Sequence, residues 1–195
     1  MGIPIDYNNL TLKQFIEVKE IESKHLDKLK MRMALVSYFT GKDSETMPLK
    51  STLLTTGLKV HLFKVDLLLA SKIKARTKSA IWIGFKRYKS ITDATKLNVN
   101  QYTALKELGK TPNTQIHRMA GLLFYQGSGF ELKHWDRISN ELLKAKVGEV
   151  APVVFFYSNV LERLNQILPS FFLINQLKIE GEIKELMRTT PGLAS

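Results

Sequence analysis

The sequence predicts a mostly α-helical protein: two tandem, related helical bundles with a small basic β-hairpin at the junction. Three observations predict this class, namely an internal repeat, helical spacing of apolar residues in both copies, and a β-rich basic segment between them. We divide the chain into helical repeat 1 (1–78), a basic β connector (79–96), helical repeat 2 (97–148) and apolar C-terminal helices (149–195).

Two blocks of sequence recur at nearly the same offset. Residues 10–21 return 87 positions later as residues 97–108, and residues 32–41 return 86 positions later as residues 118–127. The matched pairs include Leu10/Leu97, Gln14/Gln101, Phe15/Tyr102, Lys19/Lys106, Glu20/Glu107, Met33/Met119 and Ala34/Ala120. Two blocks at nearly one offset indicate the duplication of one helical unit.

The first copy predicts three helices and a short helical entry. Thr11, with Asn8 or Asn9, offers N-cap chemistry to a helix that ends in a polar break at 24–29. A second helix, 29–39, is expected to end at Gly41 as a left-handed C-terminal glycine, with Asp43 and Ser44 as the next cap. Met47 and Pro48 suggest the short helical entry, and residues 58–75 the third helix.

Residues 79–91 change character and predict a hairpin or an extended edge strand. They are rich in β-branched and aromatic residues, with Gly84 in the middle. Because an isolated hairpin is marginally stable in water, this one should pack on the helices or pair with another chain.

The second copy and the C-terminal region predict further helices. We expect helices at 98–108, 114–125, 132–146, 153–168 and 170–187, with breaks at 109–112, Gly127–Gly129, 148–152 and Pro169, and a loose tail at 190–195. Phe171, Phe172 and Leu177 belong either to the core or to a surface for self-association or docking.

Several classes of protein and site are excluded on residue content. The chain has no cysteine, so it has no disulfide, thiolate metal site or Cys nucleophile. The start is unlike a signal peptide, and Glu162, Arg163 and Pro169 interrupt the longest apolar run, so we expect a soluble intracellular protein with no membrane contact.

No residue pattern indicates catalysis. The four histidines (His25, His61, His117 and His134) lack metal-ligand spacing, and His134 with Asp136 reads as a surface pair beside a partly buried Trp135. Ser71-x-x-Lys74 matches one element of a Ser–Lys hydrolase without its companions. We therefore expect a protein that is not an enzyme and that takes no cofactor or metal.

The positive charge is concentrated in the segment between the two repeats. Residues 59–96 hold ten Lys/Arg and two Asp/Glu, which is +8 of the net charge of +11. The candidate partner-binding residues are Lys72, Lys74, Arg76, Lys78, Trp82, Phe85, Lys86, Arg87, Tyr88 and Lys89. Cations interleaved with aromatics suit nucleic acid or an acidic protein surface. The alternative is that the aromatics cover the helical core and the lysines protect an edge strand.

Two segments carry a resemblance to tailed-bacteriophage proteins. Leu-Thr-Leu-x-Gln-Phe-Ile-x-Val from Leu10, with the helix ending in Tyr-Phe-Thr-Gly41, resembles the opening of tail assembly chaperones and related morphogenesis proteins. Phe85-Lys-Arg-Tyr88, leading into residues 96–102, is similar to segments in structural proteins of crAss-like phages. The similarity covers residues 8–45 and 80–128.

The resemblance implies a non-enzymatic role in phage particle assembly. The leading hypothesis is a virion protein of the neck or tail, assembled in the host cytoplasm and present in multiple copies, as a homo-oligomeric ring or connector between portal and tail. The basic character fits this role better than the second hypothesis, a tail assembly chaperone that binds the tape-measure protein. The third hypothesis is a DNA-binding accessory protein that uses residues 72–89.

Overall fold

The chain is mostly helical with one small antiparallel sheet, as the sequence predicts. The computed structural model describes residues 2–42, 56–74, 76–163 and 166. The chain divides into two compact units, Met1–Phe156 and Tyr157–Ser195. The first contains α1 (Leu12–Lys24), α2 (Lys28–Thr40), α3 (Thr56–Ala70), β1 (Ala80–Ile83), β2 (Lys86–Ser90), α4 (Val99–Leu108), α5 (Pro112–Leu123), β3 (Phe124–Tyr125) and α6 (Trp135–Leu142). Residues 147–156 of this unit and 157–163 of the second are helical.

Helices α1 and α4 begin with the same kind of reciprocal cap. The Gln14 N–H donates to Thr11 Oγ1 at 3.2 Å, and the Thr11 N–H donates to Gln14 Oε1 at 3.0 Å. In α4 the Gln101 N–H donates to Asn98 Oδ1 at 2.8 Å, and the Asn98 N–H donates to Gln101 Oε1 at 3.1 Å. Each capping box satisfies two backbone donors, so both helices start where the sequence predicts.

Helix α2 also has the predicted ends. Asp27 caps it by accepting from the backbone N–H groups of Leu29 and Lys30, and these bonds lower the pKa of the Asp27 carboxyl. Gly41 ends it at φ 67°, a left-handed conformation that glycine adopts without steric cost. The predicted cap at Asp43 and Ser44 and the helical entry at Met47 and Pro48 lie outside the described residues.

The connector forms the predicted hairpin, and a third strand extends it. A two-residue turn joins β1 to β2, with Gly84 at φ 58°, as expected where the twist of paired strands requires a positive φ. β2 also pairs with β3 through Lys89 opposite Tyr125 and Ser90 opposite Phe124, giving the strand order β1-β2-β3.

The N-terminal segment is hydrogen-bonded to two distant parts of the first unit. Asn8 Nδ2 donates to the Lys72 carbonyl, and the Lys74 N–H donates to Asn8 Oδ1, both at 3.0 Å. The Val147 N–H donates to the Leu10 carbonyl at 2.8 Å, and a Cβ on Gly148 would lie 2.9 Å from Asn8 Cβ. These contacts fix the chain that leads into the hairpin.

Four sequence-predicted boundaries are wrong. The helix predicted at 58–75 ends at Ala70, and that at 114–125 ends at Leu123, because its last residues pair with β2. The helix predicted at 132–146 is a 3-10 turn followed by α6, which ends at Leu142. The predicted break at 148–152 is helical instead, because the tertiary contacts of Val147 and Gly148 start a helix there.

The core of the first unit takes buried side chains from all six labelled helices and from the inner face of the sheet. Its fully buried large side chains include Phe15, Leu35, Leu68, Ile81, Tyr88, Leu105, Ile116, Met119 and Phe124. Gln101 is buried with them and satisfied, since its Nε2 donates to the Leu122 carbonyl at 2.6 Å.

The remaining C-terminal predictions fall outside the described residues. These are the kink at Pro169, the helix at 170–187, the tail at 190–195, and the docking residues Phe171, Phe172 and Leu177. Among the helices that the structure describes, none combines the length and apolar character needed to span a bilayer.

Candidate partner-binding surface

The hairpin separates its side chains onto two faces. Strand alternation and register place Ile81 opposite Tyr88 on the inner face, where both are buried. Trp82 lies opposite Arg87, and Ala80 opposite Lys89, on the other face. The sheet therefore packs one side on the helical core and leaves the other side available to a partner.

Two aromatic side chains of the hairpin are exposed. Phe85, at the tip, is 103% exposed, and Trp82 is 64% exposed. The interpretation in which these rings cover the helical core is therefore wrong for both residues. Large apolar side chains presented on an ordered element are typical of contact surfaces.

Tyr88 requires a correction, because it is not part of this surface. Its side chain is 0% exposed and lies on the inner face opposite Ile81. A strand with one buried face alternates inward and outward side chains, so the neighbours of an exposed cation can be core residues. The Tyr88 ring contributes packing and cannot stack on a partner.

Two of the predicted cations are held in ion pairs. Lys78 Nζ lies 2.8 Å from Glu149 Oε1, just before β1, and Lys86 Nζ lies 2.8 Å from Glu141 Oε1, at the hairpin tip. Glu141 also accepts a weaker contact from Arg137 at 3.4 Å. These lysines tie the hairpin to the helical body and are less available to a partner.

Lys72, Lys74 and Arg76 lie in the segment between α3 and the hairpin. All three side chains are exposed, while the backbone of Lys72 and Lys74 is bonded to Asn8. These three cations precede the hairpin in the chain and are not part of its outer face.

Arg87 and Lys89 are the outer-face cations. Both are exposed, and among the described residues neither forms an ion pair with a carboxylate. Lys89 Nζ makes only a long contact, 3.4 Å, to the Gly127 carbonyl. Their unneutralised charge makes this face attractive to an anionic partner.

A groove of about 510 Å³ opens beside β2 and contains residues that the sequence did not single out. Arg87, Lys89 and Lys96 supply three cations, and Tyr125 and Phe130 supply two aromatic rings. The lining, all within the described part of the chain, includes no carboxylate. Tyr125 was missed because β3 has two residues and follows a helix directly, a pattern with no signal in sequence.

Ser71, which the sequence matched to one element of a Ser–Lys hydrolase, has a structural role. The Ser71 hydroxyl donates to the Leu68 carbonyl at 2.8 Å and accepts from the Tyr7 N–H at 3.0 Å, so it closes the end of α3. Burial and the neighbouring charge of Arg118 lower the pKa of His117. In the described ranges, no group of three or more His, Asp or Glu side chains is positioned to hold a metal ion.

The fold and surface together define a helical protein that presents a basic, aromatic β-hairpin. Comparison of the chain with protein-family models, with curated proteins and with solved structures finds no match.

Proposed function

We propose that this chain is a non-enzymatic structural protein of a tailed-bacteriophage virion, a multi-copy neck or tail component that connects portal and tail. The observation that carries the proposal is the exposure of two large rings on one ordered hairpin, Phe85 at its tip and Trp82 on β1. A soluble protein gains little from two large rings in water, whereas a neighbouring subunit can bury them.

The charge around these rings supports an acidic neighbour. Arg87 and Lys89 have no carboxylate partner among the described residues, and they flank Trp82 in the sheet. Complementary charge speeds association and fixes register, while the rings supply most of the affinity. The hairpin would then dock on an acidic patch of the portal, neck or tail.

The proposed internal duplication suits a multi-copy ring. The capping boxes of α1 and α4 occupy matched positions of the repeat, Thr11 with Asn98 and Gln14 with Gln101. Gly41 and Gly127, also matched, both have positive φ. Two similar but unequal halves can offer the two different patches that a closed ring requires.

The test combines particle composition with a paired substitution. Mass spectrometry of gradient-purified particles from the parent phage should find the chain in several copies per particle. Trp82→Ser with Phe85→Ser should yield particles that lack the next component, while the isolated protein keeps its circular dichroism spectrum and melting temperature.

A control pair separates loss of docking from general surface change. Leu26 and Val99 are exposed apolar residues elsewhere, 104% and 79% respectively, and their Ser variants should assemble normally. Normal assembly of the Trp82/Phe85 variant would contradict docking through the hairpin. Absence of the chain from particles, with presence in infected lysates, would instead favour the tail assembly chaperone.

A further inference from the structure

The outer face of the sheet combines two rings and two cations. Register places Trp82 directly opposite Arg87, and Lys89 directly opposite Tyr125. Directly opposed side chains on one face have Cβ atoms about 5 Å apart, and successive outward residues of one strand lie about 6.8 Å apart. Each ring therefore lies across from a residue that carries a positive charge, Trp82 from Arg87 and Tyr125 from Lys89.

The groove continues this face at β3. Lys96 adds a third cation, Phe130 adds a further ring, and Ser79, Thr92 and Ser128 contribute hydroxyl groups to the lining. Because three cations and no carboxylate line the groove, it favours an anionic ligand over a cationic one. Its volume of about 510 Å³ is large enough for a nucleotide-sized group.

We propose that the outer face of the sheet binds single-stranded nucleic acid. The site comprises Trp82, Arg87, Lys89 and Tyr125, together with the groove that Lys96 helps to line. The cations contact successive phosphates, and the rings of Trp82 and Tyr125 stack on unpaired bases. A duplex is excluded from this mode because its bases are already stacked inside the helix. An acidic peptide would pair with the cations, but its carboxylate side chains could not stack on the rings of Tyr125 and Phe130.

This site overlaps the proposed protein-docking surface, since Trp82, Arg87 and Lys89 belong to both, but the two proposals have separate readouts. Docking is measured by the composition of assembled particles, whereas nucleic-acid binding is measured on the isolated chain. A negative result in one measurement therefore does not by itself contradict the other proposal.

The experiment measures the fluorescence anisotropy of a labelled oligothymidylate of about 12 nucleotides, a length within the usual site size of such surfaces. At roughly 50 mM salt we expect saturable binding, with log affinity falling linearly as log salt rises. Trp82→Ala should weaken binding about tenfold or more, and Trp82→Phe should retain most of it, because base stacking needs a ring.

Charge variants test the position of the phosphate contacts. Arg87→Gln with Lys89→Gln should reduce the salt slope by about 1.4, since each single-strand phosphate contact contributes about 0.7. The matched control is Lys59→Gln with Lys106→Gln, two exposed lysines on α3 and α4 that make the same change in net charge. The control should leave the slope and affinity close to those of the parent protein.

Three results would overturn the proposal. One is equal affinity for a duplex of the same length, unaffected by Trp82→Ala. Another is a control pair that lowers affinity as much as the Arg87/Lys89 pair, which would mean that net charge alone attracts the strand. The third is displacement of the oligonucleotide by an equimolar poly-glutamate peptide, which would make the face a binding site for acidic protein.

Discussion

Asn8 shows how a single polar residue positions a distant element. Its amide bonds the backbone of Lys72 and Lys74, and it packs where Gly148 leaves room for it. It is only 9% exposed, so the bonds are formed away from most of the solvent. Without Asn8, the Lys72 carbonyl and the Lys74 N–H would each lose a partly buried hydrogen bond. Leaving a buried polar group without a partner costs more than the bond itself contributes to stability.

Asn8→Ala should therefore lower the free energy of unfolding by about 2 kcal/mol, because it removes two hydrogen bonds to the backbone. Urea denaturation followed by circular dichroism measures the change. Asn9→Ala is the matched control, since Asn9 is exposed, and its effect should stay within about 0.5 kcal/mol. Equal effects of the two substitutions would contradict the role of Asn8.

We expect His117 to make the stability of the protein depend on pH below about 6.5. Burial, and then the charge of Arg118, lower its pKa in the folded state below the unfolded value of about 6.5. Between the two pKa values the unfolded chain binds more protons, so the free energy of unfolding falls as pH drops through that window.

We expect His117→Asn to flatten the dependence of stability on pH just below about 6.5. Urea midpoints measured at several pH values, for the parent protein and the variant, give the two slopes. The parent should lose stability as the pH falls, and the variant should lose less. Identical slopes would show that other groups account for the dependence.

At the scale of elements, α5 and α6 approach closely at a glycine. A Cβ on Gly121 would lie 2.0 Å from Ser139 Oγ and 2.9 Å from Trp135 Cδ1. Trp135 is itself fixed there, since its Nε1 donates to the Arg118 carbonyl at 2.8 Å and Arg118 lies over its ring. The two helices cannot keep this spacing with a larger residue.

Gly121→Ala should lower the melting temperature, with an overpacking cost of about 1–3 kcal/mol that outweighs the gain in helix propensity. Gly129→Ala is the control, because a Cβ there meets nothing within 4 Å and the residue has no positive φ. Thermal unfolding followed by circular dichroism compares them. A Gly121→Ala protein as stable as its parent would mean that α6 shifts freely.

The elements also show which features a sequence reveals. The caps at Thr11 and Gly41 and the turn at Gly84 depend on residues within a few positions of each other, and all three were predicted. The start of α4 was also predicted, although the cap at Asn98 was not. The sequence did not reveal that Tyr88 faces the core, because its burial depends on its place in the folded sheet. A structural feature can be predicted from sequence when the residues that form it are close together in the chain.

At the scale of the whole first unit, the errors arise from long-range contacts. Phe124 and Tyr125 form β3 because they pair with β2. The helix at 147–156 begins where Val147 bonds the Leu10 carbonyl and Gly148 packs against Asn8. Residues 148–152 contain a glycine and a proline, so local reasoning predicts a break. For the same reason the groove at Lys96 and Tyr125 could not be predicted, since its walls come from separate segments.

If the hairpin docks a partner as proposed, its two ion pairs affect the rate of binding. In each pair the lysine is exposed and the glutamate is partly buried, so each contributes only about 1 kcal/mol to stability. Together with the inner face they nevertheless hold the hairpin near both its base and its tip. A rigid hairpin loses little conformational entropy on binding, so most encounters in the correct orientation proceed to a complex without a folding step.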